Sequence, residues 1–264
     1  MKRPLIVDCF PYFNEVELVQ ARIDYLSPVV DRFVIVALDV THSGEPYSPP
    51  FPVDLFNDPK VVYENYPNAP NGRGQEANWE RLRYQRESIL KPLRYMPDET
   101  TVLLSDLDEI PRRELIQSLR EERKPIADGQ IACFMMDYYY YDPTNLVTAN
   151  QPGGYPWPGT KMCNLGTMRK LGVTGLRQVQ AKDCSVVLPD AGWHCSYFGG
   201  ASQVRQKMGA ICENHFRESK ELINAEEVSK RLAAHADVYG RDDMGFVTIE
   251  PRPDLPDELR RFIP

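Results

Sequence analysis

Thr101-Val-Leu-Leu-Ser-Asp-Leu-Asp-Glu-Ile-Pro111 decides the reading of this chain. A short apolar run meets three acids within four residues, and a proline then ends it. Apolar runs bounded by turn residues read as buried strands of an α/β sheet. The acids then fall at the strand's carboxyl end, where open α/β sheets bind ligands. Asp106 and Asp108 are two apart, so an extended backbone would point both the same way. Two hard oxygen donors on one side suit Mg²⁺ or Mn²⁺, which keep waters and take phosphate oxygens as further ligands. A strand end with solvated acids is the alternative.

Working outward, Pro4–Phe13 reads as a first strand. Asn14 is placed to cap a helix running to Pro28, with Val16, Val19, Ile23 and Leu26 at helical spacing. Strands are expected at Arg32–Val40, Lys60–Tyr66 and Thr101–Leu107, and helices at Asn78–Tyr95 and Arg112–Arg123. That alternation predicts an α/β fold, a mostly parallel central sheet with helices on both faces. Further on, Ile131–Tyr141 and Ser185–Leu188 read as strands, and Ser202–Cys212 and Ala225–His235 as helices. Residues 142–180, rich in Gly and Pro, give no clear assignment. No repeat, low-complexity segment or linker appears, so residues 1–264 are read as one domain.

The 264 residues are enough for a large, well-buried core. A net charge of -7 argues against nonspecific affinity for nucleic acid or anionic membranes. It leaves a phosphorylated ligand open, because a local metal reverses the local field. The apolar run after Pro4 is too short for a signal-peptide core, and no stretch approaches the roughly 18 apolar residues of a membrane span. The six cysteines show no CxxC and no dense pairing. A cytoplasmic protein with reduced thiols is therefore expected.

Four further groups carry chemistry in prospect. Gly192-Trp193-His194 offers an imidazole for a metal or phosphate and a flat indole of the kind sugar rings stack on; a satisfied core pair is the alternative. Arg83 and Arg86 are neighbours on one helix face and suit phosphate, unless they pair with nearby glutamates. Asp8 and the loop Pro11–Glu15, with Phe13 and Asn14, are positioned to receive a nucleobase and ribose, although a plain β-α turn would explain them. The P-loop, Rossmann and G-x-S-x-G patterns are absent, which removes the usual parts of kinase, nicotinamide and serine-hydrolase chemistry.

These blocks, in this order, resemble glycosyltransferase family 17, the β-1,4-mannosyl-glycoprotein β-1,4-N-acetylglucosaminyltransferase group. The likeness runs through Asp8-Cys-Phe10, Phe13-Asn-Glu15, Val30–Val36, Thr41-His-Ser-Gly44 and Arg81–Ile89. It continues through Leu104–Arg112, Trp157-Pro-Gly-Thr-Lys161, Ala191–Gly200 and Tyr239-Gly-Arg-Asp242. The resemblance implies a GT-A-like fold, a UDP-sugar donor such as UDP-N-acetylglucosamine, a divalent metal and inversion at the anomeric carbon. It makes Asp106 and Asp108 the metal-diphosphate motif and Gly192-Trp193-His194 the family's late motif; from the residues themselves His194 is read as a third metal ligand or a contact to the diphosphate. Inversion needs a general base, for which Glu109 and Asp190 are the candidates. The animal enzymes of the group carry an amino-terminal membrane anchor that has no counterpart here, so the acceptor is read only as a glycan or other hydroxyl. A metal-dependent phosphoester or nucleotide-sugar hydrolase and a non-catalytic carbohydrate-binding protein are the rival readings.

Overall fold

The computed structural model describes residues 3–122, 126–149, 156–212, 224–241 and 244–264. Arg123 and Asp242, named above, lie outside them. Among the described residues eleven strands join in one sheet: β1 (Ile6–Pro11), β2 (Arg32–Leu38), β3 (Val61–Tyr66), β4 (Thr101–Leu104), β5 (Glu109–Pro111), β6 (Ala132–Tyr140), β7 (Asn145–Ala149), β8 (Trp157–Asn164), β9 (Val186–Leu188), β10 (Gly192–Ser196) and β11 (Gly245–Thr248). The described helices are α1 (Val16–Leu26), α2 (Val53–Phe56), α3 (Gln75–Ser88), α4 (Arg113–Glu122), α5 (Leu165–Leu171), α6 (Val173–Gln178), α7 (Gly200–Ala210), α8 (Ala225–Ala233) and α9 (Asp257–Arg260).

The sheet is parallel in its first half and largely antiparallel in its second. Strands β4, β1, β2 and β3 lie side by side and parallel, as the βαβ alternation predicts. Beyond β4 the order continues β8, β6, β7, β11, all antiparallel. β10 lies parallel to β6 and antiparallel to β5. Residues 142–180 thus contribute two strands and two helices that the Gly- and Pro-rich sequence hides.

Strand parity builds a core on each face. Ile6, Phe10, Phe33, Ile35 and Leu103 face α1, packing on Leu18, Val19 and Leu26. Val7, Cys9, Val34, Val36, Val102 and Leu104 face the other way, onto Ile89, Leu93, Met168 and Leu176. Helices therefore cover both faces. A third cluster gathers Tyr138, Tyr140 and Val147 under Val204, Met208 and Val228, which ties α7 and α8 to the antiparallel half. Burying an Ile or Phe in such a layer is worth about 1.5–3 kcal/mol, so the parity of these strands is strongly fixed. All six cysteines are free thiols. Among the described residues, no helix is long and apolar enough to cross a membrane.

Candidate active site

The acidic segment folds as a turn, which corrects the extended reading. β4 stops at Leu104, and the Glu109 amide donates to the Asp106 carbonyl (3.1 Å), closing a tight bend before β5. The Cys195 amide donates to the Asp108 carbonyl (2.7 Å), fastening the bend to β10. From beneath, the fully buried Arg22 donates through Nη1 to the carbonyls of Asp106, Leu107 and Glu109 at 3.0, 2.9 and 2.8 Å. It also donates to the Ser105 hydroxyl (2.6 Å). One guanidinium on α1 thereby sets the backbone of the whole turn.

Asp8 is the counter-charge of that guanidinium, at 2.7 and 2.8 Å, and is completely buried. It holds Arg22 and does not line the cavity described next, which corrects its assignment to the donor site. The parity that sends Ile6 and Phe10 to the α1 face sends Asp8 there too.

Above the turn lies a cavity of about 400 Å³ at the carboxyl ends of β1, β2, β4, β6 and β10. Phe13, Arg86, Asp106, Asp108 and His194, all singled out in the sequence, line it together. Arg86 of α3 contacts both Asp106 oxygens at 3.1 and 3.2 Å, and Arg177 of α6 reaches Oδ2 at 3.0 Å. Burial alone would raise the Asp106 carboxyl, but Arg177 and Arg86 outweigh it and hold it well below the usual range. Asp108 meets Lys207 of α7 at 2.8 Å, and its other oxygen lies 3.6 Å from His194 Nε2. Burial again opposes ionisation of Asp108, and the Lys207 ammonium overcomes it. Lys207 also lies 3.3 Å from Glu15.

His194 reaches the cavity by parity. In β10, Gly192, His194 and Ser196 face one side while Trp193 and Cys195 face the core. A Cβ on Gly192 would sit 2.3 Å from the Ile110 carbonyl, so glycine is required where β10 crosses β5. The imidazole stacks on Tyr138 and lies against Trp157, each 4.4 Å away between ring centres, and those two rings also touch each other at 5.3 Å. Burial pulls its pKa below the ordinary histidine value, against Asp108 and Glu109, so the ring is neutral near pH 7. Its Nδ1 is buried without a partner.

Other expectations are corrected. Trp193 lies in the core against Tyr25 and Arg112, not on the cavity wall; Trp157 is the indole that lines it. Arg83 points outward and pairs with Glu76 at 2.5 Å. Asn14 is not the cap of α1, whose cap position is Glu15; its amide bonds Gln203 and Gln206 of α7. Glu109 is sealed off the cavity, taking two bonds of 2.8 Å from Arg177 and one of 2.9 Å from Trp157 Nε1. Asp190 sits at the opposite end of β10, half exposed, paired with Arg112 and Arg252. Neither candidate base lines the cavity.

The sequence reading passed over Lys207, His42, Trp157, Tyr239 and Arg241, all cavity-lining residues. All but Lys207 stand in blocks that carry the family resemblance; Lys207 has no sequence signal beyond its place on a helix.

An acidic turn ringed by arginine, lysine and imidazole stands at the carboxyl edge of the sheet, where open α/β sheets bind ligands. Residues 1–149 match the family description Glycosyltransferase family 17, and the chain belongs to that family. It is a glycosyltransferase. No curated protein sequence matches the chain. Among solved structures, Francisella tularensis 2-C-methyl-D-erythritol 4-phosphate cytidylyltransferase is similar with a TM-score of 0.38, at 10% identity over 70% of this chain and 90% of that one. Mouse xyloside xylosyltransferase 1 scores 0.27, at 11% identity over 66% of this chain and 74% of that one. Likeness of that degree says nothing of donor or acceptor.

Proposed function

We propose that this protein transfers a sugar, with N-acetylglucosamine the first choice, from a UDP-sugar to a glycan or other hydroxyl acceptor, with metal dependence and inversion. The observation that carries the reading is the Asp106–Asp108 turn on the wall of the cavity, with Asp108 and His194 Nε2 3.6 Å apart. The family supplies the class of reaction.

Among the described residues no three His, Cys, Asp or Glu side chains stand together as a ready metal cage. The donors that do meet fit a metal completed by substrate: a hard carboxylate of Asp108 and a neutral imidazole of His194, with Asp106 in the same turn. Asp108 and His194, with Asp106 beside them, would hold Mn²⁺ or Mg²⁺, which would supply positive charge against that of the departing nucleotide. Arg86 and Lys207 add fixed positive charge beside the same turn, which favours a diphosphate leaving group whatever the metal. The aromatic end of the cavity, with Tyr138, Trp157, Tyr197 and Tyr239, suits a sugar ring. Inversion by one displacement needs a base, and the carboxylates on the cavity wall are Glu15, Asp106 and Asp108.

The test is a nucleotide-sugar panel read by thermal shift with and without Mn²⁺, followed by product analysis. A ligand at a hundredfold excess over its Kd stabilises by about 2.7 kcal/mol. Mn²⁺-dependent stabilisation by a UDP-sugar, with transfer that requires an acceptor, supports the reading. Free sugar released without acceptor dependence would make the protein a hydrolase. Glycan binding that survives chelation, without turnover, would make it a binding protein.

A further inference from the structure

Gln85 on α3 is buried, and its Nε2 donates to two backbone carbonyls, Tyr12 at 3.0 Å and Val36 at 2.9 Å. Both amide hydrogens are committed. Turning the amide over would set its oxygen against two oxygens that only accept, so its orientation is fixed. The Gln85 oxygen therefore faces His42 Nε2, 2.6 Å away. A carbonyl oxygen only accepts, so Nε2 carries the hydrogen. The neutral ring has one N–H, which leaves Nδ1 a bare acceptor.

Burial and the adjacent Arg86 keep this ring neutral against the opposing pull of its Gln85 bond. Among the described residues its one hydrogen bond is that to Gln85. His42 follows β2, at the carboxyl edge of the sheet, and shares the cavity wall with Phe13, Leu38 and Val40. Apolar walls with one fixed acceptor suit a flat ring that offers a ring N–H.

We propose that His42 is the residue by which this site reads the base of its donor, with Nδ1 accepting the N3–H of uracil. The assignment rests on the nucleotide-sugar reading above and deepens it. Cytosine carries a lone pair at the same ring position, so two acceptors would face each other with neither satisfied. Sites built to bond a donor reject its acceptor counterpart for this reason.

The test is calorimetric titration of UDP and of CDP, each with Mn²⁺ at pH 7.5, on the wild-type protein, His42→Phe and His42→Ala. Melting curves check that each variant is folded. Wild type should prefer UDP by about tenfold or more, the scale of one unsatisfied hydrogen bond in a buried site. Either folded variant should lose that preference through weaker UDP binding, with CDP binding nearly unchanged. A wild type that binds both nucleotides equally, or a variant that keeps the preference or weakens both alike, overturns the role of His42. A wild type that binds neither nucleotide overturns the nucleotide-sugar reading itself, and this proposal with it.

Discussion

Asp8 and Arg22 meet in a two-pronged ion pair with no solvent exposure on either side chain, and that pair lies under the turn carrying Asp106 and Asp108. Removing one partner of a buried pair leaves an uncompensated charge, at a cost of about 3–5 kcal/mol. Asp8→Ala should therefore lower stability by that amount in urea denaturation. Whatever folded protein survives should show weakened nucleotide binding, because the turn loses its support. An unfolding free energy within about 1 kcal/mol of wild type would show that Arg22 is not left as a buried, uncompensated charge.

Asp108→Asn should leave the fold intact and remove Mn²⁺-dependent UDP binding. The amide keeps the volume but loses the charge that a metal and Lys207 share. Titration of UDP with and without Mn²⁺ measures this; an unchanged Mn²⁺ increment would end the metal role of Asp108.

Glu109 distinguishes a structural anchor from a base. Its carboxylate takes two bonds from Arg177 and one from Trp157. Glu109→Gln should cost stability on the order of 2 kcal/mol, as expected for lost bonds to a charged partner. The activity that remains should keep the pH profile of the wild type. Loss of the acid limb of that profile would return Glu109 to the role of base.

Asp31 gives a pH dependence remote from the cavity. Burial would raise its carboxyl, but bonds from Arg3, the Ile6 amide and Arg120 hold it at about 2. A carboxyl with a depressed folded pKa stabilises above the unfolded value, here 3.8, and the gain is lost as pH falls through about 2. The pairs are partly exposed, so solvent screening limits the gain to about 1 kcal/mol. Urea midpoints of wild type and Asp31→Asn should differ at pH 6 and converge toward pH 2. A constant difference would contradict the linkage.

The parallel half of the sheet was legible because β2 and β4 are buried on both faces and so read as nearly unbroken apolar runs. The antiparallel half was not. β8 opens with Trp157-Pro-Gly, which looks like a turn until β6 and β4 pair on either side of it. The acidic turn was found from its charges, but its geometry came from Arg22, 83 residues or more away in sequence. In Gly192-Trp-His194 the sequence could not say which side chain faces the cavity. Parity settles that only once the pairing of β10 with β5 and β6 is known. Lys207 reads as an ordinary solvated helical lysine until α7 is laid across the turn. Glu109 and Asp190 looked alike as carboxylates near a motif, and only their partners separate them.

The indole of Trp157, in ring contact with His194 and hydrogen-bonded to Glu109, is an optical probe already installed in the molecule. Trp193 is locked in the core and Trp79 stands on α3, away from the cavity wall. Emission that changes with ligand concentration should therefore report on the cavity wall beside His194. Mixing experiments can follow the arrival and departure of substrates in time, with no dye and no alteration of the chain.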